Sequence, residues 1–304
     1  MAIFSLAAVL AVALGLLWAL AVLSYARILL SPPRMTDGKA AYRLRRVSPQ
    51  DLGMPCERLQ FEVEKGLKIA AWMIPAEGAT KLAVLVHGYA DAKVGALAWA
   101  PMFRDLGYHL LLPDLRAHGE SGGTSTTGGV READDLDAVL NQLRAQYPSR
   151  CTRVVLFGAS LGAAAVALIA TRRTDLQAVV LDSPVANFEE GALGHSQLMA
   201  LPGQAVVGPA MQLAAWWTGV QFGDAAIEHT LPDLKCPALL VLPADDAFVT
   251  ADARRRLSAA FESHKKGHPA AAIWTPPVPH LLAVTYEEAE YAQKLGQFVG
   301  NWRS

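Results

Sequence analysis

The sequence predicts an α/β protein, a mainly parallel sheet covered by helices on both faces with an antiparallel start. Three observations carry that prediction. From Leu82 to Trp274, short β-prone runs alternate with helical patterns, the rhythm of right-handed β-α-β units. The run Leu82–Val86 is continuously apolar, as expected of a central strand buried on both faces. Finally, Val154-Val155-Leu156-Phe157-Gly158-Ala159-Ser160-Leu161-Gly162 followed by an alanine run reads as strand, sharp turn and helix, with a serine at the apex.

Length and composition bound the answer. The chain has 304 residues, enough for one large core, and 52% of them are hydrophobic. The 27 Lys and Arg nearly cancel the 28 Asp and Glu, so no basic field argues for nucleic acid and no acidic block for a disordered tail. Cys56, Cys151 and Cys236 are odd in number and far apart. They form neither a disulfide framework nor a metal-ligand spacing.

The hydrophobic excess sits at the N-terminus. Ala2–Ala26 contains no charged residue, and about 25 residues at 1.5 Å each span the roughly 30 Å hydrocarbon core with slack for tilt. There is no basic n-region and the run is too long for a signal peptide. Residues 1–30 therefore read as a retained transmembrane anchor, ended by Ser31-Pro32-Pro33, and 31–57 as a linker. Lys and Arg are absent before the span. After it come Arg27, Arg34, Lys39, Arg43, Arg45 and Arg46, which places the C-terminal domain on the cytoplasmic side. This basic stretch is also suited to rest on anionic headgroups.

The domain proper is expected over 58–304. Ser48-Pro49-Gln50-Asp51 suits a turn or helix start, with Pro at the first position. Arg58–Glu64 alternates apolar and polar. Lys65-Gly66 turns the chain, and Leu67–Ile74 returns as a hairpin partner. After the strand Leu82–Val86 come a helix at Lys93–Leu106, a strand at Tyr108–Leu112 and an amphipathic helix at Arg131–Tyr147. Strands then follow at Arg153–Phe157, Gln177–Leu181, Ala238–Leu242 and Ala271–Trp274. The remaining helices are Ser160–Arg172, Ala251–Phe261 and Tyr286–Trp302. One segment, about 184–232, breaks the rhythm. It follows a strand's C-terminal end, where such sheets place their ligands, and reads as a small helical cap. Its Trp216 and Trp217 are expected to bind an acyl chain.

A serine hydroxyl needs a base to become a nucleophile, and the base needs an acid to orient it. With a Gly-x-Ser-x-Gly turn, the chain order is Ser, then acid, then His. After Ser160, the strand Ala238–Leu242 runs into Pro243-Ala244-Asp245-Asp246-Ala247-Phe248-Val249. The loop after the last strand holds His280. His195, His229, His264 and His268 follow no strand directly, and His118 precedes the nucleophile. Of the paired aspartates, the Asp-x-x-Val spacing favours Asp246 as the orienting acid and leaves Asp245 to the turn. An oxyanion hole needs two N–H groups. One is expected from Leu161, just after the nucleophile, and the other from Tyr89, after the strand end His87-Gly88. Asp114-Leu115-Arg116-Ala117-His118-Gly119-Glu120-Ser121 reads as a bracing loop.

Together, His87-Gly88, Asp114-x-Arg116-x-His118-Gly119-x-Ser121, Gly158-x-Ser160-x-Gly162, Asp246-x-x-Val249 and the late His280 resemble the serine α/β-hydrolase superfamily, over roughly Leu59 to Trp302. The chain is most similar to its bacterial membrane-anchored members. Pro243-Ala244 stands where that family commonly has glycine before the acid. The resemblance implies a Ser160–His280–Asp246 triad, an acyl-enzyme intermediate and no cofactor. A carboxylic ester is the expected small-molecule substrate. A serine peptidase or thioesterase on the same triad is the enzymatic rival, and a non-catalytic scaffold the other. Removing residues 1–30 is expected to leave a soluble, active enzyme.

Overall fold

The computed structural model describes residues 2–200 and 203–300, with side chains from Leu6 onward. The chain opens with α1 (Ala2–Leu30) and α2 (Asp37–Leu44), then forms β1 (Glu57–Glu64), β2 (Leu67–Ile74) and β3 (Lys81–Val86). Two short helices, α3 (Lys93–Ala96) and α4 (Ala100–Asp105), lead to β4 (Tyr108–Pro113). Next come α5 (Val130–Gln146), β5 (Arg153–Ala159), α6 (Leu161–Ala170) and β6 (Ala178–Asp182). The cap comprises α7 (Phe188–Leu198), α8 (Gly203–Thr218) and α9 (Ile227–Thr230). The chain closes with β7 (Ala238–Val241), α10 (Ala251–Gly267), β8 (Ala272–Trp274), α11 (Ala283–Tyr286) and α12 (Glu288–Gly300).

The eight strands form one sheet in the order β1-β2-β4-β3-β5-β6-β7-β8. The β1–β2 and β2–β4 pairs are antiparallel, and every pair from β4 to β8 is parallel. Alternation along each strand divides the core in two. Leu82, Val84 and Val86 of β3, with Val154 and Leu156 of β5, pack under α5 and α6. Ala83 and Leu85, with Val155 and Phe157, pack on the other face against Phe103, Tyr291 and Leu295. Because side chains alternate at period two, a strand covered on both faces must be apolar throughout, which is why these runs carry no polar residue.

Two helical expectations need correcting. The expected helix over Lys93–Leu106 is broken into α3 and α4, with Trp99 as the N-cap of the second. Pro101 lies in the first turn of α4, where its missing N–H does no harm, but inside a continuous helix it would remove a bond. The last helix begins earlier than expected, at Ala283, and is interrupted before Glu288. Its expected end at Trp302 lies outside the described residues.

The stretch 31–57 is docked rather than loose. Thr36 caps α2 through its side chain. Arg34 donates from Nη1 to the carbonyls of His118, Gly119 and Ser121 at 3.1, 2.8 and 2.7 Å, and from Nη2 to Gly123 O at 2.9 Å. That guanidinium, expected at the membrane surface, instead fastens the segment to the loop after β4. The lower half of α1 is also packed. Val22, Tyr25, Ala26, Leu29 and Leu30 form a core with Val206, Val207, Ala210, Met211 and Ala214 of the cap.

Candidate active site

The site lies beyond the C-terminal ends of β3, β5, β6, β7 and β8. Its centre is the β5–α6 turn. Ser160 has φ 51° and ψ −111°, a backbone state L-residues rarely hold and which the surrounding structure must enforce. The flanking glycines explain how the turn closes so tightly. A Cβ on Gly158 would lie 2.4 Å from Gly162 O, and one on Gly162 would lie 2.6 Å from the carbonyls of Val86 and His87. The Ser160 N–H donates to Asp182 O at 2.9 Å, which ties the turn to the end of β6.

The loop after β7 sends its two aspartates different ways. Asp246 is 5% exposed. Its Oδ2 lies 2.6 Å from His280 Nδ1, and its Oδ1 accepts the Phe248 N–H at 2.8 Å. Asp245 is held by its backbone, its N–H on Val278 O at 3.3 Å. With Nδ1–H directed at Asp246, the Nε2 of His280 is left as the proton acceptor. Ser160 and His280 both line one cavity of about 630 Å³. No hydrogen bond joins them among the described residues, a looseness common before substrate arrives.

Tyr89 and Leu161 border the same cavity. Neither backbone N–H donates a hydrogen bond among the described residues, so both remain available to an oxyanion. The loop that carries Tyr89 is braced from below. His87 Nε2 accepts the Leu115 N–H at 3.0 Å, so Nδ1 carries the proton and donates to Gly88 O at 2.7 Å. Burial, with His118 nearby, holds His87 well below the usual imidazole range, which keeps this brace neutral. Gly88 packs closely here: a Cβ would sit 3.3 Å from Ser160 Cβ.

The Asp114–Ser121 loop braces the site and supplies no side chain to the cavity lining. Asp114 receives Lys93 through both its backbone N–H, at 2.7 Å, and its ammonium. Arg116 is bidentate on Asp135, with both contacts at 2.6 Å. Ser121 Oγ donates to Asp114 O at 2.8 Å and accepts the Ala70 N–H at 2.9 Å.

Three features escaped the sequence reading. The first is a buried network behind the histidine loop. Asp182 accepts bonds from Tyr291 OH at 2.8 Å, Trp99 Nε1 at 3.1 Å and Ser183 Oγ at 2.8 Å, and Ser183 Oγ in turn accepts the Leu281 N–H at 3.0 Å. Its only sequence signal was a carboxylate ending an apolar strand. The second is Asp91, which borders the cavity. Burial pushes its carboxyl up to about 6, against the pull of the Ala92 N–H. The third is His195 of α7, whose ring lies 6.0 Å from that of Tyr89 and whose pKa burial lowers.

The cap corrects one expectation outright. Phe188, Gly191, Ala192, His195 and Met199 from α7 and its end line the cavity, and no residue of α8 does. Trp216 and Trp217 are 77% and 46% exposed. They face outward, away from the serine.

Comparison with known proteins bears on the fold. A family model described as serine aminopeptidase, S33, matches residues 78–222. The uncharacterized protein YqkD of Bacillus subtilis is 25% identical over 243 residues, 78% of this chain and 76% of its own length. An uncharacterized membrane protein of Saccharomyces cerevisiae is 27% identical over 138 residues, 45% of this chain and 48% of its own length. Among solved structures, an esterase of Pyrococcus furiosus superposes with a TM-score of 0.73 at 24% identity, covering 90% of this chain and 100% of that one.

Proposed function

We propose that the chain, which has the α/β-hydrolase fold and matches the serine aminopeptidase family model over residues 78–222, is a serine hydrolase of the α/β-hydrolase superfamily that cleaves carboxylic esters of apolar acids through an acyl-enzyme. The observation that carries this reading is the Asp246–His280 bond of 2.6 Å set on the same cavity as the strained Ser160. His280 Nε2 takes the Ser160 proton as Oγ bonds to the acyl carbon. The oxyanion that forms is held by the Tyr89 and Leu161 N–H groups. As the ester C–O bond breaks, His280 returns the proton to the leaving alcohol. Water, deprotonated by the same imidazole, then releases the acid and restores the serine. Asp246 keeps the imidazole in the required tautomer throughout.

The acyl preference follows from the walls. Leu29, Leu161, Val185, Phe188, Ala192 and Leu281 line the cavity that also holds Ser160, and each buried methylene contributes about 0.8 kcal/mol. A panel of nitrophenyl esters from acetyl to dodecanoyl, an octanoyl thioester and aminoacyl amides checks the reading. The expected result is a kcat/KM at least about tenfold higher for octanoyl than for acetyl, in line with that methylene increment. Esters should also outpace amides. Faster turnover of aminoacyl amides would move the assignment to a peptidase.

The reading includes a single-pass anchor. The support is the helix Leu6–Leu30, long and apolar enough to cross a membrane, followed by the basic residues named above. The catalytic domain then lies on the cytoplasmic side. A C-terminal reporter enzyme that works only in the cytoplasm should be active. Activity of a reporter that works only after export would reverse the orientation.

A further inference from the structure

The N-terminal helix changes character along its length. Leu6, Val9, Val12, Leu16 and Leu20 are 60–67% exposed, whereas Val22, Tyr25, Ala26, Leu29 and Leu30 are 0–8% exposed. At 1.5 Å per residue, the helix from Ala2 to Ala21 rises about 30 Å, the thickness of a hydrocarbon core. A span of that length leaves the last turns, from Val22 on, at headgroup level, where they enter the protein. On the anchored reading contact with the cap already begins at Trp18, within the span, so the cap meets the bilayer with no tether in between.

Those last turns are part of the active site. Ile28 and Leu29 line the cavity that holds Ser160 and His280. Tyr89, whose N–H borders the oxyanion position, donates its hydroxyl to Ile28 O. That carbonyl is among the last four of α1, which have no helical partner. On the cap side, Tyr25 OH donates to Ala192 O at 2.5 Å and Trp18 Nε1 to Ala205 O at 2.8 Å. Met199, 42% exposed, and the exposed Arg43 line the same cavity. Met199, the apolar wall from the end of α1 and the nucleophile thus border one cavity.

We infer that the end of α1 is the acyl-binding wall, with Ile28 as a specificity-determining residue, and that the substrate is a lipid ester drawn laterally from the leaflet next to the cap. This rests on the serine-hydrolase reading and names its substrate class. A lipid is the occupant because one cavity is lined both by Ile28 and Leu29 of the proposed membrane helix and by the apolar Met199 at the end of α7. A water-soluble ester needs no wall from that helix.

The test uses the full chain in phosphatidylcholine vesicles, after a fluorophosphonate has established that Ser160 is reactive. A fluorogenic long-chain acylglycerol is placed in the same vesicles or in separate ones. Hydrolysis is expected to be at least about tenfold faster in the shared vesicles, since long chains leave a bilayer slowly at about 0.8 kcal/mol per methylene. Equal rates overturn lateral entry. In the same vesicles, Ile28→Trp should lower the octanoyl-to-acetyl ratio of kcat/KM about tenfold, and Ile28→Ala should shift the preference to longer chains. A ratio unmoved in both variants removes Ile28 from the pocket. A wild-type chain that the fluorophosphonate does not label fails the serine-hydrolase reading itself, and this inference with it.

Discussion

Ser160→Ala is expected to abolish fluorophosphonate labelling and to lower ester turnover by about a thousandfold or more, with the fold intact. The size follows from the turn. The backbone at Ser160 is held at φ 51°, and on the proposed reading that turn presents its hydroxyl as the attacking oxygen. Alanine tolerates the same backbone no worse than serine does, so melting temperature should change little. Asp246→Asn should fall in the same range, because an amide can leave the imidazole in the wrong tautomer. Asp245→Asn should stay within a few-fold, since only Asp246 reaches His280. Labelling that persists in folded Ser160→Ala would mean that another residue is the nucleophile. A larger loss at Asp245 than at Asp246 would move the acid.

The residues the sequence could identify are those whose chemistry is local. Period two and unbroken apolar runs mark the strands, because burial on both faces acts on consecutive residues. Gly158 and Gly162 mark the elbow because the contact that excludes a side chain is between near neighbours. The return of Val249 to the core, where it is 2% exposed, is the local signal behind the proposal of Asp246 over Asp245. What stayed hidden depends on contacts distant in sequence. Helix α8 is apolar around most of its circumference, so its period does not say which side packs. It turned Trp216 and Trp217 outward. The Asp182 network joins residues as far apart as Trp99 and Tyr291, and no local pattern announces such a meeting. Composition located a membrane-length helix but not the point along it where packing against the cap begins.

That point makes truncation the most informative experiment on the N-terminus. The sequence alone suggests that a chain without residues 1–30 remains soluble and active. The packing argues the reverse. Without α1, Val206, Val207, Ala210, Met211 and Ala214, now 0–9% exposed, would face solvent. Fully burying a Val or Met is worth about 1.5–3 kcal/mol, and whole domains are stable by only about 5–15 kcal/mol. The oxyanion loop would also lose the Tyr89–Ile28 bond, and a misplaced oxyanion donor costs about a hundredfold in rate. Deleting residues 2–30 is therefore expected to give aggregated protein, or a soluble remnant with octanoyl-ester turnover down about a hundredfold or more. Deleting only 2–17 keeps Trp18 and everything that packs below it. That shorter deletion should retain turnover in detergent while losing stable membrane insertion. Thermal melts and octanoyl-ester kinetics on both chains decide the matter. If the 2–30 deletion is monomeric and matches the intact chain in kcat/KM, α1 is a tether alone and the cavity is complete without it.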